Sequence, residues 1–328
     1  MNIAAGSITL KSFAKINLSI DVTGIRPDKM HTVDMVMQEI SLCDDVTVTV
    51  TPASGQPLRI SVHTDNVKLP GTQANLAYRA AEAFAEETSL TGANVEIDIK
   101  KRIPIAAGLA GGSSNAAAVL HALNALCRTD MSLGELCGIG ARLGSDVPFC
   151  VEGQAAANEN LPPKVREDPD ASTCDRATGT GTEMVPVTPL RSALVIAKPD
   201  IEVSTAEVYA HIDQQTIPRH PDNDALCAAL KAAYTAADSD SSFESALYGQ
   251  MINVLENYTL YAIPEVMHLK VLMEEHFPNA KKIMMSGSGP TVFALFGDGE
   301  NAENDASRAQ EWLRAMKYEA HAAETLIY

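Results

Sequence analysis

The chain has 328 residues, of which 46% are apolar and 20% charged, a balance that supports a large buried core and excludes wholesale disorder. Its 25 Lys and Arg stand against 42 Asp and Glu, a formal charge of −17. Such an acidic surface repels phosphate, which argues against a generic binder of nucleic acid or anionic membrane.

At about 150 residues per domain, the length suggests two domains. Residues 13–22 alternate cleanly, with Ala14, Ile16, Leu18, Ile20 and Val22 on one face of a strand. Phe13, Lys15, Asn17, Ser19 and Asp21 share the other face. Period-two runs at 46–51, 58–63 and 95–99 predict further strands, and the Ala-, Leu- and Glu-rich stretch 74–87 predicts a helix. Helices are expected from Ser114 to Leu126 and over 132–143, then a short strand at 148–152. Residues 157–182 hold three prolines, many charges and almost no large apolar side chain, the composition of a loop or disordered insertion. A strand is expected within 184–197, helices near 204–213, 223–236, 243–256 and 264–276, a strand at 291–297 and a last helix at 302–318. Without regular βαβ alternation or an internal repeat, this order predicts a two-domain α+β protein.

The six cysteines form no C-x-x-C pair and the eight histidines no metal-binding spacing, as expected for free thiols in a reducing compartment. No basic segment leads into an apolar run at the N-terminus, and no apolar stretch approaches about 18 residues. A soluble, cytoplasmic protein is expected.

The strongest local signal is PIAAGLAGGSSN, Pro104 to Asn115, running into an alanine-rich helix. Gly108, Gly111 and Gly112 allow close backbone approach to a ligand, and Ser113 or Ser114 can cap the helix. A helix N-terminus attracts phosphate through free amides and its dipole, although an ordinary glycine turn has the same composition. No Gly-Lys-Ser/Thr and no G-x-G-x-x-G is present, which excludes the two commonest phosphate loops. The cluster at 284–296, MMSGSGPTVFALF, reads as a tight strand-entry turn. Asp146, in LGSDVPF between an expected helix and strand, fits either a general base or a turn cap. Lys15 fits a solvated strand face as well as a site, and His31 follows a turn. Lys101 and Arg102 precede the glycine loop, where they can offset phosphate charge.

Taken in order, FAKINLSIDVTG, NLAYRAA, PIAAGLAGGSSNAA, LGSDVP and MSGSGPTVFALF resemble the superfamily of kinases acting on galactose, homoserine, mevalonate and phosphomevalonate. Within it the chain is most similar to the branch that phosphorylates the 2-hydroxyl of 4-diphosphocytidyl-2-C-methyl-D-erythritol, in non-mevalonate isoprenoid synthesis. The resemblance implies a two-lobe α+β kinase with its active site in the cleft. Residues 1–156 would form the ATP-binding and catalytic domain, 157–177 a flexible insertion, and 178–328 the substrate-side domain. It implies ATP and Mg2+, a cytidine diphosphate-linked small molecule as substrate, and a monomer or homodimer. It places the catalytic pair on Asp146 and Lys15, and ATP phosphates on Gly108, Gly111, Gly112, Ser113 and Ser114. Asn75 becomes a nucleotide-side contact and Lys101 a neighbour of the adenine. Asn17 and His31 become substrate contacts, and Tyr209 the aromatic that stacks on cytosine. A sister small-alcohol kinase and a non-catalytic nucleotide-binding relative are the alternatives.

Two departures carry consequences. Met30 stands where the resemblance implies an aromatic, so one stacking platform becomes a flexible thioether. Ala106, Ala107 and Ala110 stand where glycine is common, which requires negative φ at all three.

Overall fold

The computed structural model describes residues 5–235 and 246–328. Strand β1 (Gly6–Ile25) runs antiparallel to β2 (His31–Pro52), followed by β3 (Arg59–Thr64), α1 (Leu76–Thr88) and β4 (Ala93–Lys100). Next come α2 (Gly111–Cys127), α3 (Leu133–Ala141), α4 (Asp146–Ala157) and the short α5 (Pro163–Arg166). Strands β5 (Cys174–Thr178) and β6 (Glu183–Pro186) return to the first sheet, whose order is β3-β4-β2-β5-β6 with β1 paired to β2. The remaining elements are β7 (Ala193–Lys198), α6 (Thr205–Ile212), α7 (Asn223–Thr235), α8 (Glu256–Ala262) and α9 (Pro264–His276), then β8 (Lys282–Met285), β9 (Val292–Gly297), α10 (Glu300–Ala315) and β10 (Glu319–Glu324). Their strands form a second, antiparallel sheet in the order β10-β7-β9-β8.

The alternation in β1 has a different meaning from a half-buried edge, because both of its faces are covered. Ala14, Ile16 and Leu18 join a core with Leu194, Ile196, Phe293 and Leu295 of the second sheet. Lys15 and Asn17 are buried on the opposite face, where α2 and α4 pack against the strand. Beyond the register shift between Asn17 and Ser19 the faces exchange, so Ile20 leaves that core and Ser19 donates to Asn223 Oδ1 of α7 at 2.6 Å. Period two thus separates an apolar face from a polar one, and burial of the polar face demands specific partners.

Two expectations are corrected. The strand at 148–152 is instead the body of α4, which begins at Asp146. Pro148 fits there because the first turn of a helix has no intrahelical use for its missing N–H. The stretch 157–177, expected as a flexible insertion, carries α5 and most of β5, with Leu161, Val165, Cys174 and Ala177 buried. Its few apolar side chains all face inward, and β5 pairs with Met35–Gln38 of β2. The expected helix at 243–256 lies partly outside the described residues. Residues 246–249 are helical, and α8 had no counterpart among the expected helices.

Burial of Glu39, Asp175 and Glu152 leaves oxygens of all three carboxyls without a hydrogen-bond partner among the described residues. Helix α4 lies directly on Glu39, since a Cβ at Gly153 would fall 2.3 Å from its carboxyl carbon. Burial raises all three carboxyls, with Asp175 adding to the effect on Glu39, and pushes Glu152 up from 4.5 to about 8. The folded chain therefore keeps protons that the unfolded chain releases. This contribution to stability is complete below about pH 4.5 and is lost as pH rises through about 8. The wild-type thermal midpoint should fall between about pH 6 and 9, and Glu152→Gln should flatten that fall. An equal slope in the variant would contradict the assignment.

Candidate active site

Lys15 is 4% exposed, and its Nζ donates to Asn17 Oδ1 at 2.7 Å. The same Nζ lies 3.9 Å from Asp146 Oδ2, a contact long enough that neither charge is fully committed to the other. Helix α4 places the carboxylate in its first turn, where the dipole is favourable to an anion. Lys15 also ties the glycine loop to β1, because its backbone N–H donates to Leu109 O at 3.1 Å. These groups face a cavity of about 760 Å³ that is also lined by Gly108, Met30, His31 and Tyr209. His31 and Tyr209 approach with ring centroids 5.2 Å apart. Met30 is half exposed at the β1–β2 turn.

The other expected phosphate-side residues lie outside this lining. Helix α2 begins at Gly111 behind Ala110, with no side-chain cap, so neither Ser113 nor Ser114 caps it. The amides of Gly111, Gly112 and Ser113 therefore have no carbonyl one turn back within the helix. Ser114 is fully buried, accepting from Ser12 Oγ at 2.8 Å and Gln154 Nε2 at 3.0 Å, so its hydroxyl supports the loop from below. Asn75 caps α1 by accepting from Ala77 N–H and donates to Pro70 O. Lys101 is buried in an ion pair with Asp44 beneath Gly111, where a Cβ would fall 2.8 Å from its Nζ. Burial lowers its pKa, and Asp44 opposes that shift. Its charge is already matched, so it offsets little phosphate charge. Lys101 also borders a second cavity of about 470 Å³ with Ile103, Pro104 and Ile105. The glycine loop thus separates two cavities.

Ala106 and Ala110 adopt φ of +50° and +54°, contrary to the negative values expected. Each stores about 1–2 kcal/mol of backbone strain, held in place by the packing of the loop. Gly108, at φ +71°, could not be replaced in this way: a Cβ would fall 2.5 Å from Ser286 O and 2.9 Å from Gly289 O. Ser286 Oγ in turn donates to Gly108 O at 3.0 Å. The second glycine cluster is therefore the partner of the first, and its Gly287 and Ser288 line the main cavity. Asp213 and Thr180 also line it and had no local sequence signal.

Among the described residues, no group of three or more His, Cys, Asp or Glu could hold a metal, and no helix is long and apolar enough to cross a membrane.

Residues 75–154 match the model of the GHMP kinases N terminal domain, and residues 220–315 that of the GHMP kinases C terminal. The two-sheet architecture with its glycine loop at the seam is a GHMP kinase fold. A mevalonate kinase crystal structure shares that fold at 10% identity, with a TM-score of 0.62 over 98% of this chain and 100% of the other. A crystal structure of 4-(cytidine 5'-diphospho)-2C-methyl-D-erythritol kinase superimposes with a TM-score of 0.71 at 28% identity, covering 97% of this chain and 99% of that one. The 4-diphosphocytidyl-2-C-methyl-D-erythritol kinase of Alkaliphilus metalliredigens is 42% identical over 88% of each chain. That of Clostridioides difficile is 40% identical over 90% of this chain and 88% of its own. The chain belongs to the 4-diphosphocytidyl-2-C-methyl-D-erythritol kinase family.

Asp44 anchors the loop. Its Oδ1 accepts from Arg102 N at 2.7 Å and Ile103 N at 2.8 Å, and its Oδ2 from Lys101 Nζ and from Asn115 Nδ2. Asp44→Ala strands a buried ammonium and should cost about 3–5 kcal/mol in urea unfolding. A loss below about 1 kcal/mol, the size of an exposed pair, would remove Asp44 from this role.

Proposed function

We propose that the chain transfers the γ-phosphoryl group of ATP to the 2-hydroxyl of 4-diphosphocytidyl-2-C-methyl-D-erythritol. The observation that carries this reading is the buried Lys15 ammonium 3.9 Å from the Asp146 carboxylate, in a cavity that also holds Gly108 of the phosphate loop.

A tertiary alcohol is a weak nucleophile, so a carboxylate positioned to take its proton should contribute about 10²–10⁴. Asp146 fills that role. The alkoxide oxygen forms the new O–P bond as the bond to the ADP oxygen breaks, and the proton passes to Asp146. Lys15, held by Asn17, offsets charge on the phosphoryl group in transit. Phosphates rest on the amides of Gly111, Gly112 and Ser113 at the start of α2, an arrangement that suits anions. Gly108 lets the backbone come close. The nucleoside end of ATP lies beyond the loop, in the cavity bordered by Lys101, with Asn75 holding the adjoining end of α1.

Magnesium in such reactions takes most of its ligands from phosphate and water, so the lack of a carboxylate cage among the described residues is compatible with it. The half-buried Ser113 is the side-chain hydroxyl suited to hold it, whereas the hydroxyl of Ser114 is already bonded and Asp146 is kept for the proton. The ion supplies neutralisation of phosphate charge.

On the substrate side, Tyr209 offers its face to cytosine and His31 its ring edge, with the flexible Met30 on the same cavity wall. Burial, with a smaller effect from Asp146, keeps the Tyr209 phenol protonated well above the usual range. Asp146→Asn should lower turnover at least about a hundredfold while leaving ATP-analogue affinity nearly intact. Coupled ADP release and a binding titration read the two effects separately. Unchanged turnover would reject Asp146 as the base.

A further inference from the structure

Asp213 forms the C-cap of α6, four residues beyond Tyr209, so the two side chains leave one face of the helix. Both converge on His31, the first residue of β2 in the other sheet. His31 Nε2 lies 3.1 Å from each carboxylate oxygen of Asp213, and the His31 side chain is 13% exposed. Tyr209 covers the ring at a 48° tilt. A carboxylate has no hydrogen to offer, so Nε2 must be the nitrogen that carries one. In the neutral ring, Nδ1 is then left as an acceptor only.

We infer that Asp213 is a positioning residue that, by holding the hydrogen of His31 on Nε2, makes the cavity select an amino-substituted pyrimidine over its oxo counterpart. The inference rests on the reading of His31 as a contact to the base of a cytidine-linked substrate. Cytosine carries at its 4-position an amine that donates, whereas uracil carries an oxygen that accepts. An accepting Nδ1 pairs with the first and opposes the second. Reversing the tautomer to suit uracil would set the lone pair of Nε2 against both oxygens of Asp213. Discrimination of this kind is large because the wrong partner leaves desolvated polar groups unmatched. The roles divide accordingly: Tyr209 supplies a stacking face with no preference between pyrimidines, and the His31–Asp213 pair supplies the preference.

The test is kcat/KM for the cytidine-linked substrate and for its uridine-linked analogue, measured with wild type, Asp213→Ala and Asp213→Asn. Both substrates are assayed on one preparation, so any loss of folded enzyme cancels from the ratio. Wild type should favour cytidine at least about a hundredfold. Asp213→Ala should reduce that ratio at least about tenfold, chiefly through a higher KM for the cytidine substrate, with the KM for ATP unmoved. Asp213→Asn keeps an oxygen that accepts from Nε2 and should retain more of the preference than alanine does. An alanine variant with the wild-type ratio overturns the inference. Should wild type turn over neither substrate, the proposed function itself fails. If the cytidine substrate is turned over and the ratio ignores the alanine change, only the role of Asp213 fails.

Discussion

A lysine ammonium that is 4% exposed must be matched by polar groups nearby, and that requirement organises the centre of this molecule. Asn17 Oδ1 takes one of its hydrogens, and the Asp146 carboxylate balances its charge across 3.9 Å. The backbone of Lys15 meanwhile holds Leu109 of the glycine loop. One residue therefore fixes three parts relative to one another: the strand that carries it, the helix that presents the carboxylate, and the loop that leads to the amides of α2. Phosphoryl transfer asks the protein for little beyond such positioning and charge placement.

The same constraint explains why the site lies at a seam. β1 gives its apolar face to the second sheet and its polar face to α2 and α4, so the strand cannot move without disturbing both. The seam is closed by backbone as well, where Gly108 packs against Ser286, Gly287 and Gly289 with no room for a side chain. Residues from both halves of the chain then line one cavity, which brings His31 from the first sheet against Tyr209 and Asp213 of α6.

Much of this was legible in the sequence where one local rule governed the outcome. Alternation marked β4, and helix-favouring composition α1 and α9, close to their observed limits, whereas alternation marked only the middle of β1. The residues expected to meet in the cleft, Lys15, Asn17, His31, Asp146 and Tyr209, do line one cavity. Legibility failed where tertiary context overrode a local signal. A strand was expected over 148–152, yet Pro148 in the first turn of a helix costs no hydrogen bond, and α4 absorbed the segment. The polar stretch before β5 hid its order because a handful of inward side chains, Leu161 and Val165 among them, suffices to fasten it. Ala106 and Ala110 took left-handed conformations that residue identity alone disfavours. Ser114 and Lys101 sit in the right segment but are turned into the buried network around Asp44 and Ser12. Asp213 was invisible because its importance comes from a partner 182 positions away.

The most direct measurement of the central claim is a crystal structure of the enzyme with a non-hydrolysable ATP analogue and the cytidine-linked substrate bound together. The account predicts the acceptor hydroxyl within about 3 Å of the Asp146 carboxylate, as general-base catalysis requires. It also predicts the terminal phosphate beside the Lys15 ammonium, between that carboxylate and the start of α2. A complex with the hydroxyl and terminal phosphate meeting away from Lys15 and Asp146 would contradict it.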